Sequence, residues 1–178
     1  MSPITYRPLE AHDVSRICDI DRTEQIRTGY RVEAGKLVQM DVLWDTPPWF
    51  EEGSEHSFPY MIHVLEEDLA CGGVILGAFD GERLAGVASF RPHLTETMGQ
   101  LSLLHVSNGY RRQKIASHLF DQVEALARES GAQQLYVSAT PSGSAVGFYI
   151  SRGCVLNATP HPDLLEREPE DIHMIKTL

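Results

Sequence analysis

The chain has 178 residues and a formal net charge of −10, from 15 lysines and arginines against 25 aspartates and glutamates. That length supports a full core in one domain, expected to span residues 1–178, and the acidity argues against nucleic acid as a partner, whose binding rests on neutralised phosphates. The longest apolar run, Val74–Phe79, is too short to cross a bilayer; three scattered cysteines without a CxxC pair, and no secretory start, make a reducing cytoplasm the expected compartment.

Ile4–Arg7 reads as a first strand, and Asp13 as the cap of a helix over about 14–25 that carries Val14, Ile17 and Cys18. Tyr30–Val42 has the pattern of a hairpin around Ala34-Gly35, and Pro47-Pro48-Trp49 interrupts any regular element. A helix is expected over Phe58–Ala70, stopped by Gly72-Gly73. Val74–Phe79 and Arg83–Phe90 flank Asp80-Gly81, a hairpin-turn signal, and Leu101–Val106 follows as the next strand. Ile115, Leu119, Val123 and Leu126 recur at helical spacing, with Gly131 beyond the end. Leu135–Ala139 reads as a strand, Ser144–Ser151 as a short helix and Asp171–Lys176 as a last strand, which makes an α/β chain.

The stretch 100–119, QLSLLHVSNGYRRQKIASHL, carries the most information. A strand runs into a turn holding Arg111, Arg112 and Lys114, and a helix opens at once. The first amides of a helix lack intrahelical partners, and the helix dipole is positive there. Cations usually favour the other helix end, so three of them here fit best around a bound phosphate or pyrophosphate.

Two patterns in this half resemble the GNAT superfamily of N-acetyltransferases. Its acetyl-CoA signature, Gln/Arg-x-x-Gly-x-Gly/Ala after a strand ending in Val, is met by Val106 and then Arg111-Arg112-Gln113-Lys114-Ile115-Ala116. Its later pattern, Asn-x-x-Ala-x-x-Phe-Tyr followed by Gly-Phe, is met by Ser142 through Tyr149 and then Gly153-Cys154. Lys114 stands where the family has its first glycine, Ser142 where it often has Asn, and Cys154 where it usually has Phe. Glycine lets a backbone approach pyrophosphate closely, so Lys114 either crowds the cofactor or lays its ammonium on a phosphate.

The resemblance implies a mixed, mostly antiparallel central sheet flanked by helices, with acetyl-CoA as acyl donor. It implies that Leu104, His105 and Val106 pair their backbone with the pantetheine arm, and that the amides of Arg112, Gln113, Lys114, Ile115, Ala116 and Ser117 cradle the pyrophosphate. Arg111, Ser142, Ala145 and Phe148 fall at further cofactor positions. A strand amide near Val106 is implied to polarise the thioester carbonyl, and Tyr149 to assist the departing thiolate. A phenol giving its proton to a thiolate is uphill by about 2 kcal/mol, so Tyr149 is expected to act as a hydrogen-bond donor.

An acceptor amine with a pKa near 10.4 is neutral only about once in 10³ molecules at pH 7, so some group or water must accept a proton. Family positions for that base fall on Gln100 and Ser102, neither a competent base, although alternation puts both on one strand face where they could hold a water. His105 is expected on the other face unless a bulge re-aims it. His93, Glu96, Asp21 and Glu24 are further candidates near the acceptor, and Trp44, Trp49, Phe50 and Tyr60 are expected to wall its pocket. No metal-ligand spacing, Walker loop or nucleophile elbow is present, and neither Cys71 nor Cys154 has an evident histidine partner for covalent catalysis. The reading is therefore acetyl transfer from acetyl-CoA to a small-molecule primary amine by direct attack. The alternative is a non-catalytic acyl-CoA sensor of the same fold. Neither nucleic acid nor membrane is expected as a partner; a homodimer stays open.

Overall fold

The computed structural model describes residues 3–53 and 55–178. Seven strands form one sheet in the order β1-β4-β5-β6-β7-β9-β8. They are β1 (Thr5–Pro8), β4 (Val74–Asp80), β5 (Arg83–Arg91), β6 (Met98–Val106), β7 (Gln134–Ala139), β8 (Val155–Leu156) and β9 (Ile172–Thr177). All neighbours are antiparallel except β6 and β7, which are parallel. That single parallel pair needs a crossover, supplied by α2 (Ile115–Glu129). Two strands, β2 (Glu24–Glu33) and β3 (Lys36–Thr46), form a separate hairpin. The expectation of a mostly antiparallel sheet between helices is met.

The helices cover both faces. On one, α1 (Phe58–Ala70) and a 3-10 helix (Ala11–Asp19) bury Leu65, Val14 and Ile17 against Ile75, Val87 and Leu103. Ser57 caps α1 by accepting from the Tyr60 amide at 3.3 Å, and Gly72 at φ +79° ends it. On the other face, α2 and α3 (Gly143–Ser151) bury Ile115, Leu119, Phe120, Val123 and Tyr149 against Ala88, Leu101 and Val137. Helix α2 lies close enough to β5 that a Cβ on Gly86 would stand 2.8 Å from Ile115 Cγ2. A short α4 (Pro162–Arg167), not foreseen from the sequence, lies between β8 and β9.

The first helix differs most from expectation. It stops at Asp19 as a 3-10 helix, and Glu24 already belongs to β2. A local bond competes with helix propagation: the Asp21 carboxylate accepts from the Thr23 amide at 2.9 Å and from its hydroxyl at 2.6 Å. Asp13 is not the cap. Glu10 is, and Asp13 closes a capping box with it while pairing with Arg7 at 2.6 Å. Along α2 the buried stripe runs through Phe120 and Ala127, and Leu126 is only partly buried.

Hairpin β2–β3 lies across the β7–α3 loop, where the Tyr30 amide donates to the Pro141 carbonyl at 2.9 Å. Lys114 is the N-cap residue of helix α2, and its φ of +65° is left-handed. The glycine expected there therefore has a backbone role: the αL region costs an L-residue roughly 1–2 kcal/mol. Lys114→Gly should raise stability by about 0.5–1 kcal/mol, read as a small rise in melting temperature. A fall would mean that the lysine side chain itself holds the turn.

Candidate functional site

Strands β6 and β7 pair only from Met98↔Gln134 to Leu101↔Val137, yet β6 continues to Val106 and β7 to Ala139. Past Leu101 the two strands part, while the other edge of β6 stays paired with β5 as far as Val106↔Gly86. Among the described residues, the edge of β6 facing the gap is thus without a strand partner over residues 102–106, where an extended chain can add on through backbone hydrogen bonds.

Where the strands part, β6 also carries a bulge. Ser89 lies opposite Leu103 and Phe90 opposite Leu101, which leaves Ser102 unpaired. The bulge re-aims everything after it. Leu101 and Leu104 pack toward α2, whereas Leu103 joins the α1 cluster and His105 meets Trp49 edge-on, ring centroids 5.0 Å apart. Strict alternation would put His105 opposite Gln100 and Ser102; the extra residue brings it to their side.

At the far end of β6 lies the basic turn that leads into α2. Arg112 at φ +63° and Lys114 at φ +65° are left-handed, and Arg111 before them is extended. The amides of Arg112 through Ser117 make no hydrogen bond to a described residue; the first helical bond runs from His118 to the Lys114 carbonyl at 3.0 Å. Arg111 is differently engaged: its guanidinium donates to the carbonyls of Val106 (3.3 Å) and Arg22 (3.1 Å) and lies 3.5 Å from Glu24. Arg112 and Lys114 are exposed and form no ion pair among the described residues.

A carboxylate that the sequence reading missed sits behind the bulge. Asp68 of α1 is fully buried, and its Oδ2 accepts from the hydroxyls of Ser89 (2.6 Å) and Ser102, with Arg91 Nε 3.5 Å from Oδ1. Its signal lay in the spacing Met61, Leu65, Asp68, which puts an acid on an otherwise apolar helical stripe. Gln100 is 6% exposed, with its amide oxygen buried and without a hydrogen-bond partner among the described residues. It faces a cleft of about 520 Å³ between the end of β5 and α4. His105 has no hydrogen-bond partner among the described residues, and burial, with Arg22 and Arg111 adding, pushes its imidazolium down to about 4. It is a neutral ring at pH 7.

From the opposite face comes Tyr149, 6% exposed and packed with Phe120 and Phe148. Its hydroxyl bonds to no described residue, and burial raises its pKa above the ordinary phenol value. Ser142 is committed to capping α3, accepting from the Ala145 amide at 3.2 Å beside Ser144 at 3.0 Å, so its hydroxyl serves the helix start. Phe148 and Ala145 are partly buried at the same helix. Asp21 and Glu24 are engaged with Thr23 and Arg111, and Glu96 is exposed on the loop before β6. Of the four aromatics, Trp49 is buried in the α1 cluster with Tyr60 packed against that cluster, and Phe50 is half exposed.

A model of the acetyltransferase (GNAT) family matches residues 40–153. No curated protein matches the chain by sequence. Among solved structures, nourseothricin acetyltransferase superposes at a TM-score of 0.73 with 18% identity, covering 98% of each chain. A protein assigned as a streptothricin acetyltransferase from Bacillus anthracis str. Ames, in complex with acetyl coenzyme A, gives 0.72 at 14% identity over 99% of this chain and 98% of that one. PaiA N-acetyltransferase from Thermoplasma acidophilum, in complex with coenzyme A, gives 0.64 at 15% over 99% of both. At such identities the likeness is one of fold.

The His105 shift has a defined sign. The fold binds this proton more weakly than the unfolded chain does, so its contribution is neutral above about 6.5 and turns destabilising as pH falls toward about 4. A histidine NMR titration should place the His105 midpoint near 4; a midpoint above 6 would contradict the desolvated site.

Proposed function

The chain belongs to the acetyltransferase (GNAT) family, and on that footing we propose that it moves an acetyl group from acetyl-CoA to the primary amine of a small-molecule acceptor, by direct attack in a ternary complex. The observation that carries this reading is the gap between β6 and β7, which opens straight from the free amides ahead of α2. The pyrophosphate sits on the amides of Arg112 through Ser117, with Arg112 and Lys114 as nearby cations. The pantetheine arm lies along Leu104–Val106, and the thioester reaches the parting of the strands.

The two faces of the sheet then divide the chemistry. The amine approaches from the α1 face, past Gln100 and Ser102. The Ser102 hydroxyl already donates to Asp68, which leaves its oxygen to accept from the amine or from a water. As the carbon–nitrogen bond forms, the amine proton passes to Ser102 and the serine proton to Asp68. This gives the reaction the carboxylate that the Gln100 position lacks, and favours turnover over a sensor. An amide of the Leu104–Val106 edge holds the developing oxyanion. The carbon–sulfur bond breaks toward the α3 face, where Tyr149 donates a hydrogen bond to the thiolate. Its raised pKa suits a donor that keeps its proton. Among the described residues no helix is long and apolar enough to cross a membrane.

Acetyl-CoA should raise the melting temperature, by about 2.7 kcal/mol of added stability at a hundred times its Kd. An amine panel with thiol detection should show turnover. Tyr149→Phe should lower kcat on the order of 10²-fold, and an unchanged rate would remove the tyrosine from the mechanism. Ser102→Ala and Asp68→Asn should each lower kcat by on the order of 10²-fold, with the double variant no worse than either alone. Additive losses would separate the two residues and sink the relay.

A further inference from the structure

We infer that the acceptor is a zwitterion, an amine that also carries a carboxylate, as in an α-amino acid, held in the cleft between the end of β5 and α4. This rests on the acetyl-transfer reading above and adds the substrate class to it.

The cleft, about 520 Å³, has the size of a small-molecule site. Its lining holds two guanidiniums, Arg91 and Arg167, against a single carboxylate, Asp163. Counting buried Asp68 behind Arg91, the charges balance, so what matters is which guanidinium is left without an acid. Arg91 shares its charge with buried Asp68, 3.5 Å away, and donates to Cys71 Sγ at 3.3 Å. Arg167 is exposed and forms no ion pair among the described residues. A planar guanidinium matches a carboxylate through paired hydrogen bonds, and Arg167 is the guanidinium of this lining that stands ready to make them.

The floor of the cleft supplies the other half of the match. Gln100, only 6% exposed, presents an amide oxygen with no hydrogen-bond partner among the described residues. A buried acceptor left without a donor is costly, and an amine N–H is the mate it lacks. Gln100 is the cross-strand partner of Arg91 and lies two residues before Ser102, so an amine bonded to it stands beside the bulge while its carboxylate reaches the guanidiniums.

The wall that carries Arg167 is fixed from both ends. Ahead of α4, the His161 amide donates to the Tyr136 oxygen at 3.1 Å; after it, the Glu168 carbonyl accepts from His173 Nε2 at 3.1 Å. Tyr136 in turn donates to His173 Nδ1 at 2.8 Å, and both side chains are buried. This pair hangs the short helix on β7 and β9, so Arg167 starts from a positioned backbone.

Thiol release from acetyl-CoA should be measured with amino acids beside their carboxamides, with phosphoethanolamine and spermidine in the same panel. Amino acids should exceed their carboxamides in kcat/KM by about tenfold or more, and Arg167→Gln should shrink that ratio by about tenfold through KM. Arg167→Lys should restore part of it. A preference for spermidine, for carboxamides or for phosphoethanolamine overturns the proposal and leaves acetyl transfer standing. Release from no amine at all, with acetyl-CoA still raising the melting temperature, overturns the transferase reading together with this one.

Discussion

The parting of β6 from β7 after four paired residues is the constraint from which the rest of the site follows. A sheet interior normally satisfies both edges of each strand, and an open edge invites whatever can pair with it. Here the opening is held by neighbours. The bulge at Ser102 adds local twist where the strands diverge, and the Arg111 guanidinium ties the Val106 carbonyl to Arg22 and Glu24. Hairpin β2–β3 lies across the loop that leaves β7. One slot between two strands thus gains a backbone edge, a ring of amides at its mouth and a different chemistry on each face.

Those faces differ in what they hold against water. Toward α1, polar groups are buried and joined: Asp68, Ser89, Ser102 and Arg91 form one connected set, with Gln100 as its unsatisfied neighbour. Such a set is most stable when its members are paired, and two acceptors here, Gln100 Oε1 and Asp68 Oδ1, lack a hydrogen bond among the described residues. Toward α3, Tyr149 brings one hydroxyl out of an aromatic cluster. Desolvation acts on both sides in the same sense, keeping His105 and Tyr149 in their neutral forms.

Lys114 shows how a departure from a family pattern can concern conformation more than contact. The sequence poses it as a side chain that grips or obstructs a phosphate. Its φ of +65° makes the first issue backbone shape, since the cradle of amides needs a left-handed residue there whatever its side chain. Arg112 at φ +63° carries the same strain, and a bound anion would offset both.

The sequence by itself determined the elements whose signals are local: α1 over Phe58–Ala70, the Asp80-Gly81 hairpin, and the strand–turn–helix from β6 into α2. It also marked out the basic turn ahead of α2, because unpaired helix amides and adjacent cations are properties of neighbouring residues. Only the tertiary structure decided the site's other half. A bulge shifts facing by one residue and cannot be read from alternation, so which face His105 takes depended on the bulge that the structure supplies. Asp68 lies 34 positions from Ser102 along the chain, and burial alone turns it from a helix acid into the partner of that hydroxyl. The 3-10 helix ended early because an Asp21–Thr23 bond outcompeted helix propagation. Spacing along a chain fixes what neighbours do; which distant groups share a desolvated pocket is settled only when the strands pack.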